Sequence, residues 1–397
     1  MPSLDESLRG ELDLIEQAHR YRRRKIIDVI DPVAPTHVRV RADGIDRECV
    51  SFCSNDYLGL SGHIDVRRAM AAAAERYGVG SGAAHLVTGH SSEHHALEDE
   101  LAAFVGRERA LCYSTGYMAN LGVASALFKR GDTVIEDRLN HASLIDAGLQ
   151  QGVEFSRYQH NDLDVLQSYL SISKASRKWV LSDGVFSMDG DIAQLKELAS
   201  RCHQYSAWLM IDDAHGFGVL GEQGKGSVNS AGLSADDVPI YMATLGKALG
   251  VCGAFIAGSN ELVETLIQKS RTYIYTTATP PAVAAATREA LQVLQRESWR
   301  REVLHTHIRR FRAGAKQLGL KLMESSTAIQ PLMMGNEVNV LRASTILLEE
   351  GFVVTAIRPP TVPQGTARLR ITLSAAHSET DIDRLLDALS RLPVIAP

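Results

Sequence analysis

With 397 residues the chain is long enough for two or three domains, and 45% hydrophobic against 22% charged residues is typical of a globular protein. A formal net charge of -5 argues against nucleic acid as the main partner, because proteins that bind it usually present a basic surface. The short basic run at residues 22–25 is interpreted as a solvated helix end. Five cysteines without a CxxC pair indicate free thiols in a reducing compartment.

The N-terminal sequence MPSLDESLRGELDLIEQ mixes acidic and apolar residues, so it resembles neither a signal peptide nor a membrane anchor. No window reaches the ~18 consecutive apolar residues of a membrane-spanning helix. We therefore expect a cytoplasmic protein without a membrane partner. Leu4, Leu8, Leu12 and Ile15 recur at helical spacing, which predicts an amphipathic helix at the start of the chain.

The middle of the chain alternates short apolar runs with helical patterns. An extended region at residues 38–40 and 50–52 precedes it and ends in the turn-rich SNDYLGLSG. Alternating strands and helices, such as a helix at residues 192–203, predict an α/β fold with a mostly parallel sheet. The predicted strands are residues 110–113, 133–136, 178–182, 208–212, 240–243 and 254–257.

The last part of the chain is predicted to be a smaller α+β unit. Pro280 and Pro281 predict the start of a long helix that runs to about Arg300. A final helix is indicated by the apolar stripe that contains Ile382 and Leu389. The expected division is an N-terminal helix with short strands (residues 1–50), a large α/β domain (51–285) and a small α+β domain (286–397).

Lys247 lies in TLGKALG, directly after a predicted strand and among small apolar residues. Such surroundings desolvate an amine and favour its neutral form, which is a nucleophile towards a carbonyl group. The alternative is a phosphate-binding lysine of a nucleotide loop, but the GxxxxGK[ST] pattern is absent.

Asp212 and His215 lie in IDDAHGFG, at the end of a strongly apolar predicted strand. A buried carboxylate needs a cationic partner, and the protonated pyridine nitrogen of pyridoxal phosphate (PLP) is one that makes the ring an electron sink. His215 can reach the phenolic oxygen of the same ring. A structural aspartate, or a metal pair with Asp213, is the alternative. With Lys247, these residues predict PLP bound as a Schiff base.

Weaker signals surround this pair. His141 follows the predicted strand at residues 133–136, and its planar imidazole can stack on a pyridine ring. STGYMAN, at residues 114–120, predicts a strand-to-helix turn whose backbone N–H groups bind an anion. Thr244 offers a hydroxyl to the same phosphate, and Thr276 or Thr277 offers another.

Arg368 and Arg370 alternate with apolar residues, so both are predicted on one face of a strand. One of them could bind a substrate carboxylate through a bidentate contact, although for Arg368 we favour a solvated edge strand. His90, His94 and His95 contain an H-x3-H pair. No HExxH occurs and the following acidic residues indicate an exposed helix, so no metal site is expected.

Together these motifs resemble the α-oxoamine synthases, a branch of the fold-type I PLP enzymes, along nearly the whole chain. The motifs that carry the resemblance are SNDYLGL (54–60), GSGAAHLVTGH (80–90), STGYMAN (114–120), NHAS (140–143), DGVFSMDGD (183–191), IDDAHGFG (211–218), TLGKALG (244–250) and LRITLSAAH (369–377). Asp183 and Asp213 depart from the pattern, since many relatives carry glutamate there.

The resemblance implies a role for each candidate residue. Lys247 would form the Schiff base, Asp212 would pair with the pyridine nitrogen, and His141 would stack on the ring. The further implied contacts are His215 and Ser187 at the phenolic oxygen, Gly116, Tyr117 and Thr244 at the phosphate or ring, Thr276 or Thr277 from the second subunit of a homodimer, Asn55 and Arg370 at the substrate carboxylate, and Arg22 at the acyl substrate.

The implied reaction is a decarboxylative condensation of an amino acid with an acyl thioester, which releases carbon dioxide and the thiol. The stretch GSGAAHLVTGHSSEHHALEDEL favours the branch that joins L-alanine to a pimeloyl thioester, giving 8-amino-7-oxononanoate in biotin synthesis. Glycine C-acetyltransferase, a synthase for longer acyl chains and an aminotransferase are alternatives. A non-catalytic partner subunit is another, although it would not need Lys247. The acyl carrier is coenzyme A or an acyl carrier protein.

Overall fold

The computed structural model describes residues 3–42 and 44–392. Its strands are β1 (Ile26–Val29), β2 (His37–Ala42), β3 (Ile45–Ser51), β4 (Arg109–Tyr113), β5 (Thr133–Asp137), β6 (Glu154–Tyr158), β7 (Lys178–Asp183), β8 (Trp208–Asp212), β9 (Ile240–Thr244), β10 (Ala254–Gly258), β11 (Ile329–Gly335), β12 (Phe352–Val353), β13 (Thr355–Ile357) and β14 (Ala367–Thr372). Its helices are α1 (Leu4–Gln17), α2 (Ile64–Tyr77), α3 (Ser92–Val105), α4 (Gly116–Leu127), α5 (Ala142–Gly148), α6 (Leu163–Ile172), α7 (Leu195–Gln204), α8 (Ser227–Ser230), α9 (Asn260–Lys269), α10 (Arg271–Ile274), α11 (Pro281–Arg296), α12 (Trp299–Gln317), α13 (Glu337–Glu349) and α14 (Glu379–Ser390).

A seven-stranded sheet organises the compact unit formed by residues 55–187 and 191–301. The strand order is β4-β10-β9-β8-β7-β5-β6. Strands β5 to β9 pair in parallel, whereas β10 is antiparallel to both of its neighbours, β4 and β9. The prediction of an α/β fold with a mostly parallel sheet is confirmed.

Inner strands of this sheet, such as β10, read as continuous apolar runs because they are covered on both faces. Every residue of β5 and of β10 is buried, and Val134, Ile135, Phe255 and Ile256 have no exposed surface. Since parallel strands end at the same edge of a sheet, the loops after β5, β7, β8 and β9 meet there.

Residues 3–42, 44–54, 188–190 and 302–392 form a second compact unit. It contains a four-stranded sheet of order β1-β2-β3-β12 and a three-stranded antiparallel sheet of order β11-β14-β13. The N-terminal and C-terminal segments thus share one unit. The predicted division at residues 50 and 285 stays a prediction.

Arg368 does not lie on a solvated edge strand, and that expectation is wrong. Its strand, β14, is the central one of the three-stranded sheet, and Arg368 is only 3% exposed. Its guanidinium forms an ion pair with Asp189, and its Nε–H donates to the Thr366 carbonyl at 2.9 Å. A sequence in which arginine alternates with apolar residues does not reveal whether the guanidinium contacts water or a buried carboxylate.

Two predicted helices have different limits. The helix after Pro280 ends at Arg296, where Glu297 leaves the helical conformation with φ -108° and ψ 58°, and α12 begins at Trp299. The predicted helix at residues 192–203 begins only at Leu195, because Ile192 pairs with Val185 in a β-bridge.

The first helix was predicted correctly, and its N-terminus carries a capping box in which Ser3 and Glu6 bond each other's backbone N–H groups. None of the helices within residues 3–42 and 44–392 has the combination of length and apolar composition that a membrane crossing requires.

We predict that Arg368→Ala destabilises the protein by about 3–5 kcal/mol, because it removes the cation that pairs with the nearly buried Asp189 carboxylate. The matched control is Arg310→Ala. Arg310 is an exposed arginine with ion pairs to Asp383 and Glu379, and solvent screens such pairs. Thermal midpoints measured by circular dichroism should fall clearly for Arg368→Ala and little for Arg310→Ala. Equal midpoints for the two variants would contradict the argument.

Candidate active site

A cavity of about 140 Å³ opens at the carboxyl edge of the seven-stranded sheet. It gathers most of the residues predicted to bind a cofactor. The lining residues are Gly116, Tyr117, His141, Ser143, Asp183, Val185, Ser187, Asp212, Ala214, His215, Met242, Thr244 and Lys247.

Asp212 ends β8 and is 5% exposed. Its Oδ2 accepts a hydrogen bond from the Asn120 side-chain amide at 2.8 Å, and its Oδ1 accepts the Ala214 N–H at 3.1 Å. The same Asn120 amide also donates to Ser143 Oγ at 2.8 Å. These contacts fix the orientation of the carboxylate. Sequence reasoning did not single out Asn120, although it closes the STGYMAN motif.

His141 follows β5 and caps the N-terminus of α5. Its Nδ1 accepts the Ser143 N–H at 3.3 Å and lies 2.7 Å from Ser143 Oγ, so the cap fixes the ring plane. Removal from bulk water lowers the pKa of this imidazole, and the nearby Asp212 carboxylate opposes that shift only in part. We conclude that His141 is neutral at neutral pH, and Ser143 is a second residue that sequence reasoning missed.

Asp183 ends β7 beside His141. Its Oδ2 accepts the His141 N–H at 3.1 Å, and its own N–H donates to Asn140 Oδ1 at the same distance. Complete burial raises the pKa of this carboxyl well above its ordinary value, and the negative charge of Asp212 adds to the effect, while Lys247 opposes it. The Asp183 carboxyl group therefore holds its proton more tightly than an exposed aspartate does.

Tyr57, whose side chain is almost fully buried, contacts a ring nitrogen of His215. The Tyr57 hydroxyl lies 2.5 Å from His215 Nδ1 and 3.3 Å from Asn55 Oδ1. Asn55 itself is not among the lining residues, but Tyr57 links it to the histidine that is. Tyr57, within SNDYLGL, is a third residue that sequence reasoning missed.

Gly116 begins α4 where the helix meets β9. A Cβ atom at this position would lie 2.8 Å from Thr244 Cγ2, so only glycine allows this approach. Thr115 caps the helix by accepting the Met118 N–H at 3.1 Å. The first-turn N–H groups have no partner within the helix and suit a phosphate group.

Four further predicted site residues are not among the lining residues of this cavity. Thr276 and Thr277 are not among the lining residues of this cavity, and Thr277 pairs with Ala84 in a β-bridge. Arg22 and Arg370 belong to the second unit. There the exposed Arg22 donates to Thr361 Oγ1 and the buried Arg370 to Thr372 Oγ1, each at 3.1 Å.

The donor set of the cavity fits PLP group by group. Lys247 offers an amine for the aldehyde, Asp212 a carboxylate for the pyridine nitrogen, and His141 a neutral ring for stacking. The turn at Gly116 offers backbone N–H groups for the phosphate. The sheet and this cavity define the class of a PLP-dependent enzyme of fold type I.

Comparisons with known proteins agree. Residues 47–389 match the family described as aminotransferase class I and II. An 8-amino-7-oxononanoate synthase from Saccharophagus degradans is 56% identical over 390 residues, covering 98% of this chain and 97% of the relative. The enzyme of that name from Thioalkalivibrio sulfidiphilus is 57% identical over 385 residues, with 97% and 96% covered.

Among solved structures, Sphingomonas wittichii serine palmitoyltransferase aligns with a TM-score of 0.90 and 30% identity over 98% of each chain. An 8-amino-7-oxononanoate synthase from Francisella tularensis aligns with a TM-score of 0.76 and 32% identity, covering 86% of this chain and 97% of that one. The chain belongs to the aminotransferase class I and II family and, within it, to the 8-amino-7-oxononanoate synthases. The resemblance noted in the sequence is confirmed, and PLP-bound neighbours indicate PLP as the cofactor.

Asp213 follows Asp212 in sequence but has different partners. Its Oδ2 accepts the Ser227 N–H at 2.7 Å and the Tyr241 hydroxyl at 2.9 Å. Complete burial raises the pKa of this carboxyl from 3.8 to about 7. The folded protein therefore binds this proton more tightly than the unfolded chain. The resulting stabilisation is complete below about pH 4 and is lost as the pH rises through about 7.

We predict that Asp213→Asn raises the thermal midpoint relative to the wild type at about pH 8 and changes it much less at about pH 5. The asparagine keeps a carbonyl oxygen for Ser227 and Tyr241 but cannot ionise. Midpoints of both proteins, measured across this pH range with PLP present, test the prediction. Curves that stay parallel would show that Asp213 does not titrate there.

Proposed function

We propose that this chain is a PLP-dependent acyltransferase that condenses L-alanine with a pimeloyl thioester. The products are 8-amino-7-oxononanoate, carbon dioxide and the free thiol, in biotin biosynthesis. One observation carries the assignment, namely that Lys247, Asp212 and His141 line one cavity. The relatives that bear the enzyme's name match this chain over nearly its full length.

The residues of the cavity would hold the cofactor as follows. Lys247 would bind its aldehyde covalently, and Asp212 would keep its pyridine nitrogen protonated. His141 would stack on the ring without adding a positive charge, because the pKa of its imidazole is lowered. Ser187 and His215 would contact the phenolic oxygen, and Thr244 with the backbone of Gly116 and Tyr117 would contact the phosphate.

PLP, when bound, supplies an electron sink for the carbanion that forms at the α-carbon of the amino acid. Lys247 is our candidate for the general base that takes the α-proton and for the acid that later returns one. Asp212 is our candidate for the carboxylate that pairs with the pyridine nitrogen, because burial raises the pKa of the neighbouring Asp183 and disfavours its charged form. Val185, Ala214 and Met242 supply apolar walls that exclude water from the reacting atoms.

Asn55, Arg370 and Arg22 are proposed as substrate contacts. Asn55 is joined through Tyr57 to His215, a lining residue, which supports a place for it near the cofactor. An arginine such as Arg370 can bind a carboxylate with two parallel hydrogen bonds. For Arg22 the support is the resemblance alone, and either coenzyme A or a carrier protein would serve as the acyl carrier.

We also propose that the protein is a homodimer in which Thr276 or Thr277 of one subunit contacts the phosphate in the other. Neither threonine lines the cavity of its own chain. The apolar side chains of Leu4, Leu8 and Ile15 on α1 are exposed in a single chain, which suits a helix that packs against a partner.

Lys247→Ala should abolish the yellow absorbance of the covalently held cofactor and lower kcat by at least about 100-fold, because it removes both the attachment point and the base. Lys269→Ala is the matched control, since Lys269 is an exposed lysine at the end of α9. Absorbance spectra and mass measurement of the borohydride-reduced proteins locate the adduct. A colourless wild-type protein, or an adduct that persists in Lys247→Ala, would refute the assignment.

Substrate preference tests the branch of the family. With pimeloyl thioester we expect kcat/KM for alanine to exceed that for glycine by about 10–200-fold, the usual value of one methyl group in a fitted pocket. Serine should also be poor. Mass spectrometry of the product identifies 8-amino-7-oxononanoate. Strong turnover of glycine with a short acyl thioester, and none of alanine, would favour glycine C-acetyltransferase.

A further inference from the structure

Four histidines cluster around the start of α3, in a part of the molecule that the proposed reaction does not use. His85, His90 and His95 line a second cavity, which shares no lining residue with the cofactor cavity. His94 lies beside them, with its ring 5.0 Å from that of His85 and 5.8 Å from that of His90. Imidazole nitrogens are common metal ligands, so this cluster of histidines is a candidate metal site.

The H-x3-H pair seen in the sequence does not provide that site, because both ring nitrogens of His94 are engaged. Its Nδ1 accepts the Ser91 N–H at 3.1 Å, and its Nε2 donates to the Thr279 carbonyl at 2.7 Å. His94 has no exposed surface and acts as a structural cap of α3.

A different set of residues has the right atoms. We propose that His90, His95 and Glu98 bind a divalent transition-metal ion such as Zn²⁺. One ring nitrogen of each histidine and one carboxylate oxygen lie within 4.8 Å of one another. His95 and Glu98 are three residues apart on α3 and so share a face of the helix, while His90 precedes it. Two imidazoles and a carboxylate suit zinc, with further positions left for water.

Both histidine ligands lie at exposed positions, where a side chain can adjust to an ion more easily than in a packed core. Zinc bonds of about 2.0–2.1 Å require ligand atoms about 3.3 Å apart in a tetrahedral site, and the three ligand atoms here lie within 4.8 Å of one another. The side chain of His95 is 72% exposed, and its Nε2 lies 3.9 Å from the Asp99 carboxylate. His90 is likewise exposed.

Other contacts hold the remaining parts of the site in place. Glu98 accepts the Cys112 N–H at 2.8 Å, which anchors its carboxylate to β4. His90 Nδ1 lies 3.0 Å from His85 Nδ1, and the His85 ring stacks on Tyr273 at 4.9 Å. Metal-binding histidines commonly have such a partner for their other nitrogen, because it fixes the ring. A bound ion would connect the end of the segment GSGAAHLVTGH to helix α3.

Titration of the chelator-treated holoenzyme with zinc chloride in a calorimeter tests the proposal. The wild type should bind one zinc ion per chain at this site, and bound zinc should raise the thermal midpoint. His90→Gln and His95→Gln should each weaken binding by at least about tenfold and remove the rise. Both changes are at exposed positions, and retained cofactor absorbance verifies that the variants fold.

Two control variants separate this site from other zinc ligands. His203→Gln changes an exposed histidine on α7 that pairs with Asp237, and Cys252→Ser removes the exposed thiol. Both should bind zinc as the wild type does. The proposal is overturned if the wild type binds no zinc, if binding is unchanged in His90→Gln and His95→Gln, or if Cys252→Ser abolishes it.

Discussion

The burial of one negative charge at the end of an apolar strand is the constraint on which the rest of the site depends. Asp212 is nearly inaccessible, and a carboxylate there is tolerated only with donors around it and a cation opposite. Asn120 and the Ala214 N–H are the donors. Burial raises the pKa of the neighbouring Asp183 well above its ordinary value, which disfavours a second negative charge there. A protonated pyridine nitrogen would supply that cation, and for this reason the cavity suits PLP.

The topology of the seven-stranded sheet brings the other lining residues of the cavity close to Asp212. Strands β9, β8, β7 and β5 are neighbours in space and parallel, so the residues at or just after their ends converge although more than a hundred positions separate His141 from Lys247. Each strand contributes one functional group or one support for it. Strands such as β5 and β10 are buried at every position, so packing fixes where they lie. The loops that follow such strands are therefore held in place where they begin.

The fold was predictable where the physical signal is local. Continuous apolar runs identify the central strands, because burial on both faces demands apolar side chains at every position. The edge strand β6 escaped prediction because EFSRY carries polar residues towards solvent and is not an apolar run. The break between α11 and α12 escaped it as well, since Glu297 departs from helical geometry in a region where the helical pattern of the sequence continues.

The residues of the candidate site were harder to predict from the sequence than the strands and helices. The residues predicted to contact the cofactor were chosen because their chemistry is visible in a motif. Asn120, Ser143 and Tyr57 instead hold other side chains in place, and such contacts are visible only in three dimensions. The adjacent Asp212 and Asp213 make the same point. The alternation of a strand sends them to opposite sides, one towards the cavity and one towards Ser227 and Tyr241. Complete burial raises the pKa of Asp213 to about 7, while Asp212 lines the cavity. Asp212 and Asp213 are identical and adjacent in sequence, and they differ in chemistry because their surroundings differ.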